Sequence, residues 1–195
     1  MPPDLLHASA SALLASWMAP DHDQERTRLL LLEHLATHPD GMWRSCADGH
    51  LTGSTLVLDA AGLRALFTLH PKIGRWLQMG GHCEEADVDL AATARREAVE
   101  ESGIDDLVLL PGPVDLDVHA LDCPKGRPNR HLDVRWLAVA PADAVAKPSD
   151  ESPHLRWFPL DAPPADTDES TLRLVRLAMA ATTSRAARDR YAPPS

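Results

Sequence analysis

Apolar positions change period several times along this chain of 195 residues, and each change marks an element. Leu5, Leu13, Leu14, Trp17 and then Leu29 to Leu32 with Leu35 recur near helical spacing, interrupted by APDHD at 19–23, so two helices are predicted within 4–37. Pro39, Asp40 and Gly41 end that region. STLVLDA at 54–60 and LRALFTLH at 63–70 are β-rich, and Ala61-Gly62 between them predicts a hairpin. WLQM at 76–79 predicts another short strand before the double glycine Gly80-Gly81. A helix is expected over 88–102. Its Ala91, Ala94 and Ala98 form a small-residue stripe suited to close packing on a sheet, and Gly103 is placed to end it in a left-handed conformation. VDLDVHAL at 114–121 and HLDVRWLAVA at 131–140 read as strands around a long turn, DCPKGRPNR, and HLRWFPL at 154–160 reads as a last strand. Residues 168–184 predict an amphipathic helix opening at Asp168, Glu169 and Ser170. Mixed strands around one strong central helix predict an α/β or α+β sandwich. The expected organisation is a helical extension over 1–40, a main domain over 41–185 and a flexible tail over 186–195.

Composition narrows the class. A hydrophobic content of 44% supports a real core, and a net charge of −10 lacks the footprint of a non-specific nucleic-acid binder. With that charge, a small anionic ligand needs help from a cation. The first twenty residues carry Asp4 but no Lys or Arg, and nowhere is there a run of about 18 apolar residues, so a cytoplasmic location without a membrane partner is expected. Cys46, Cys83 and Cys123 are odd in number, far apart and free of any C-x-x-C pair, which supports neither a disulfide framework nor a zinc site.

The chemistry concentrates in GGHCEEADVDLAATARREAVEESGI at 80–104. On a helix Glu97 faces both Glu100 and Glu101, while Arg96 reaches toward Glu100. Solvated like-charge neighbours cost only about 0.2–0.5 kcal/mol each, so crowding alone does not demand a ligand. A hard divalent cation, held by these carboxylates beside the double-glycine loop, explains more.

REAVEESGI at 96–104 matches, position for position, the second half of the Nudix box, G-x5-E-x7-R-E-U-x-E-E-x-G-U with U aliphatic. The chain therefore resembles the Nudix hydrolase family over about residues 51–160. The first half departs. Counting back from Arg96 puts Val88 at the early Glu and His82 at the Gly, as though one residue were inserted after Gly80-Gly81. Asp87 or Asp89 stands in for the missing Glu, or these acids only favour a helix start. The resemblance implies a Nudix fold, a mixed sheet flanked by helices, that hydrolyses a nucleoside diphosphate derivative with Mg²⁺ or Mn²⁺ on Glu97, Glu100 and Glu101. The Gly81 carbonyl would complete the metal shell, and Arg96 would orient Glu97. The general base would be a helix carboxylate, Glu100 or Glu101, or a distant loop residue, for which Glu151 in SDESP is the candidate.

His119 and His131 sit on neighbouring strand runs, with Asp117 on the first one's face and Asp133 and Arg135 on the second's. With His82, directly after Gly81, His119, His131, Asp133 and Arg135 are candidates for binding substrate. Exposed strand faces ordinarily carry such residues too. Trp76, Trp136 and Trp157 fit a core. Competing functions are a Nudix-fold binding or regulatory module without turnover, and a prenyl-diphosphate isomerase needing a Cys and a Glu across its substrate, for which only Cys83 is near. The apolar N-terminal helices must pack on the domain or on a second copy in a homodimer.

Overall fold

The computed structural model describes residues 3–121, 129–149 and 152–183. The expected tail over 186–195 and the turn residues 122–128 lie outside the described residues. Twelve elements follow in order: α1 (Pro3–Ser16), α2 (His22–Thr37), β1 (His50–Leu58), β2 (Arg64–Leu69), β3 (Trp76–Leu77), β4 (Met79–His82), α3 (Leu90–Ser102), β5 (Val108–Leu109), β6 (Asp115–Leu121), β7 (Asn129–Val139), β8 (Leu155–Pro159) and α4 (Glu169–Thr183). Among the described residues, no helix is long and apolar enough to cross a membrane.

The strands make one mixed sheet centred on β1 and β7, which run parallel in register from His50↔His131 to Leu58↔Val139. Every other pairing is antiparallel. The free edge of β1 is shared: Val57 and Leu58 pair with β2, whereas Thr52 to Thr55 pair with β4. WLQM is therefore not one strand. Trp76–Leu77 pairs with β2, and Met79 leads into a second strand that carries Gly80, Gly81 and His82 along β1. β1 itself begins at His50, four residues before the apolar run that announces it.

One sheet face buries α3. Asp89 caps the helix by accepting from the Ala92 N–H at 2.7 Å, and Gly103 ends it at φ 65°, ψ 23°, as its sequence position predicts. Ala94 and Ala98 are fully buried, and the Thr55 hydroxyl donates to the Ala94 carbonyl at 3.0 Å. The N-terminal helices cover the rest of this face: Leu6, Leu14, Leu31 and Leu35 share one apolar cluster with Leu51, Leu90, Val134 and Trp136. Leu5, Leu29 and Leu30 of the same helices remain exposed. Gln24 clamps strand β6, donating to the Leu116 carbonyl at 3.0 Å and accepting its N–H at 2.8 Å.

The opposite face is divided. At one end Leu56, Leu58, Phe67 and Leu137 pack against Leu174, Val175 and Ala178 of α4. At the other end the same face turns polar, with His50, Thr52 and Ser54 of β1 beside His131, Asp133 and Arg135 of β7. The polar end borders β4, and β4 borders the acidic side of α3.

Candidate active site

The glutamates are organised by one guanidinium. Arg96 donates through Nε and Nη2 to the two oxygens of Asp87, each at 3.0 Å, and through Nη1 to Glu97 at 3.0 Å and Glu100 at 3.1 Å. Its Nη2 also donates to the His82 carbonyl at 2.7 Å. Burial opposes this charge, but Asp87 and Glu97 outweigh it and hold the Arg96 pKa above its usual range. Asp87, 5% exposed, has a lowered pKa despite its burial because Arg96, the Glu84 N–H and Thr93 all donate to it. The two candidates for the early glutamate therefore separate: Asp87 forms the bidentate pair with Arg96, and Asp89 is a helix cap. Asp87 lies six residues after Gly81, so the extra residue falls between Asp87 and Arg96 rather than directly after the glycines.

Gly81 makes the room that Glu97 occupies. A Cβ there would lie 2.5 Å from Glu97 Cδ, so only glycine lets this carboxylate lie against the backbone of β4. Glu101 accepts from the Gly80 N–H at 3.2 Å and from the Ser152 hydroxyl at 2.7 Å, and Thr68 donates to Ser152 at 2.9 Å. Glu100 is the outer member, with its side chain 53% exposed. One guanidinium thus faces Asp87, Glu97 and Glu100, with Glu101 on the next turn. The surplus negative charge, the oxygen-only donors and the backbone held at Gly81 fit a hard divalent cation.

Across β4 the histidines gather. The rings of His82 and His131 lie 5.0 Å apart, and His119 lies 5.3 Å from His131. Burial first, then the charges of Arg44 and His50, push the His82 pKa down to about 4; burial and the neighbouring His50 and His82 push His131 down to about 2. His119 moves the other way, because Asp117 accepts from its Nδ1 at 3.1 Å.

Asp133 and Arg135, expected to bind substrate, lie enclosed in the structure. Both side chains are 2% exposed. Asp133 accepts from the Thr52 and Ser54 hydroxyls, each at 2.8 Å, and from Arg135 Nε at 2.9 Å. Arg135 is ringed by Asp115, Asp117 and Asp133, and Arg173 of α4 closes over Asp115. A charge buried this deeply survives only when paired, so these residues build the floor under the histidines. Glu151 lies outside the described residues. Cys83 is 8% exposed, and burial pushes its thiol up to about 12.

Two contributors were not singled out by sequence. Ser152 lies in the loop SDESP, and its hydroxyl reaches Glu101. His50 precedes the apolar run of β1, and only register brings it opposite His131.

A family model described as the NUDIX domain matches residues 56–177. Among solved structures, a NUDIX-family hydrolase from Clostridium perfringens superposes with a TM-score of 0.52 at 20% identity, covering 67% of this chain and 96% of that one. The E. coli dihydroneopterin triphosphate pyrophosphohydrolase gives a TM-score of 0.52 at 16% identity, covering 65% and 92%. The C. elegans Ap4A hydrolase gives 0.50 at 18% identity, covering 69% and 98%. At these identities the likeness speaks for the fold. No curated protein matches the chain significantly by sequence.

Proposed function

The chain belongs to the NUDIX family of pyrophosphohydrolases, and on that premise we propose that it hydrolyses the diphosphate linkage of a small nucleoside diphosphate derivative with Mg²⁺ or Mn²⁺. The observation that carries this reading is that Arg96 holds Glu97 and Glu100 while Glu97 and Glu101 lie against the Gly80-Gly81 backbone. Glu97, Glu100, Glu101 and the Gly81 carbonyl are the cation ligands we assign. A divalent cation held by these residues would supply charge neutralisation and orientation of the diphosphate and a lowered pKa for an attacking water.

The remaining work falls to the chain's own groups. Arg96 holds Glu97 and Glu100 in fixed relation through a planar fork that no lysine reproduces. Ser152, its own hydroxyl ordered by Thr68, donates to Glu101 and fixes that carboxylate. Glu100 is the most accessible of the three and is our general base: water oxygen bonds to phosphorus, the bridging P–O bond breaks, and Glu100 takes the water proton. His82, His119 and His131 line the wall across β4, where the neutral imidazoles of His82 and His131 and the Asp117-bound ring of His119 offer hydrogen bonds to the rest of the substrate. A cytoplasmic setting, where such substrates are abundant, suits this role.

The test is incubation of the purified chain with Mg²⁺ and a panel of nucleoside diphosphate derivatives, following the products by chromatography. Cleavage between the phosphates that stops on chelation and resumes with Mg²⁺ is expected. Cleavage unaffected by chelation, or none across the panel, would contradict the proposal.

A further inference from the structure

His50, His82 and His131 come from three different strands, β1, β4 and β7, yet each offers a ring nitrogen within 4.8 Å of the other two. No local spacing encodes this; it follows from His50↔His131 in the parallel ladder and Thr52↔His82 in the antiparallel one. The Nε2 atoms of His82 and His131 are 3.2 Å apart. In a tetrahedral zinc site with Zn–N bonds of about 2.0–2.1 Å, ligand nitrogens are separated by about 3.3 Å. His50 stacks on His82 with ring centroids 5.0 Å apart and meets His131 edge-on at 4.9 Å, so the three rings form one cluster. His50 is 2% exposed and forms the floor, whereas His82 and His131 are partly exposed and leave a path of entry.

We infer that His50, His82 and His131 form a second metal site, an all-imidazole site for a transition cation of the Zn²⁺ class with one coordination position open. The donor chemistry separates it from the carboxylates: imidazole suits Zn²⁺, whereas carboxylate, carbonyl and water suit Mg²⁺ and Mn²⁺. Position separates it too. Along β4, Gly81 faces Glu97 and His82 projects to the opposite side of the sheet. The inference does not need the carboxylate site or the diphosphate hydrolysis proposed above, but with the cation bound His82 and His131 serve as its ligands in place of the direct substrate contacts assigned to them there.

The experiment is a Zn²⁺ titration of the full chain, stripped of metals and then held in saturating Mg²⁺, read by competition with a chromophoric chelator and by thermal melting. One equivalent is expected to bind and to raise the melting temperature. Loss of an outer-shell partner alone weakens metal sites about 10–100-fold, so removing a ligand in His131→Ala should weaken Zn²⁺ by at least about 100-fold. His82→Asn, at a less buried position, should do the same if His131→Ala folds poorly. Glu101→Gln should leave Zn²⁺ affinity unchanged, and Co²⁺ in place of Zn²⁺ should give the visible absorption of a tetrahedral site. Zn²⁺ binding that vanishes in Glu101→Gln but persists in the histidine variants would overturn the inference, as would the absence of any Zn²⁺ binding in saturating Mg²⁺.

Discussion

Replacing Gly81 by alanine isolates the geometry of the carboxylate site from the stability of the fold. The added Cβ would lie 2.5 Å from Glu97 Cδ and 2.6 Å from each of its oxygens. Carbon atoms pack at about 3.5–4.0 Å, so the carboxylate must retreat by about 1 Å. It can, because it is the end of a flexible side chain, and Gly81 does not have the positive φ that would strain an alanine. The folded state is therefore expected to survive, with a melting temperature near that of the parent when no metal is present. Catalysis should not survive so well. A misplacement of about 1 Å costs on the order of 100-fold in rate, or about 2.7 kcal/mol of barrier. Gly53→Ala is the control, because its Cβ would lie 2.9 Å from the Ala94 backbone nitrogen and 3.1 Å from the Leu90 carbonyl. There the neighbour is helix backbone, which cannot step aside, so stability should fall first. The assay pairs turnover of the best Mg²⁺-dependent substrate with Mn²⁺ affinity and thermal melting. Gly81→Ala with full turnover and full Mn²⁺ affinity would refute the reasoning, as would an alanine there that unfolds the chain as readily as Gly53→Ala.

Further outcomes follow from the same contacts. Arg96→Lys keeps the charge but loses the fork that joins Asp87, Glu97 and Glu100, so both Mn²⁺ affinity and rate should drop by about 10-fold or more; a variant silent in both would exclude the orienting role. Ser152→Ala removes a donor at 2.7 Å from Glu101, and it should lower kcat by about 10-fold while KM changes little, whereas Ser152→Thr, which keeps the hydroxyl, should restore part of the rate. Asp117 is buried, which alone would raise its pKa, but His119 and Arg135 bring it below the usual carboxylate range. Its ionised form therefore contributes stability that is complete above the unfolded value near 3.8 and is lost as pH falls below it, at a slope of up to about 1.4 kcal/mol per pH unit. Denaturant melts between pH 5 and 2 should show a shallower acid loss in Asp117→Asn, and identical slopes would contradict this sign.

The features legible in the sequence are those written in consecutive residues. The helix over Leu90–Ser102, its end at Gly103 and the glutamate spacing all follow from local period and one glycine, and the structure has them there. β4 is less legible because glycines disfavour strands; Gly80 and Gly81 are there for the close approach of Ser54 and Glu97, which no local pattern reveals. β5, two residues long, is too short to show a period. Alternation correctly groups His119 with Asp117 and His131 with Asp133 and Arg135, as the β6–β7 register shows. It cannot say what covers that face, which is why Asp133 and Arg135 read as accessible while α4 and Asp115 enclose them. Asp87 was one acid among several until the fold brought Arg96 to it. The N-terminal leucines predict burial, and the face of the sheet beside α3 receives Leu6, Leu14, Leu31 and Leu35, whereas Leu5, Leu29 and Leu30 stay exposed.

Glu97, Glu100 and Glu101 are proposed to hold the cation that drives diphosphate cleavage. The most direct test of this claim is Glu101→Gln, an isosteric change that removes one ligand charge from a carboxylate held by Gly80 and Ser152. Turnover in saturating Mg²⁺ and Mn²⁺ affinity are measured beside the metal-free melting temperature. Turnover lower by at least about 1,000-fold, weakened Mn²⁺ binding and a melting temperature equal to or slightly above the parent's are expected, since like-charge crowding is relieved. A Glu101→Gln protein that turns over at the parent rate with undiminished Mn²⁺ affinity would contradict the claim.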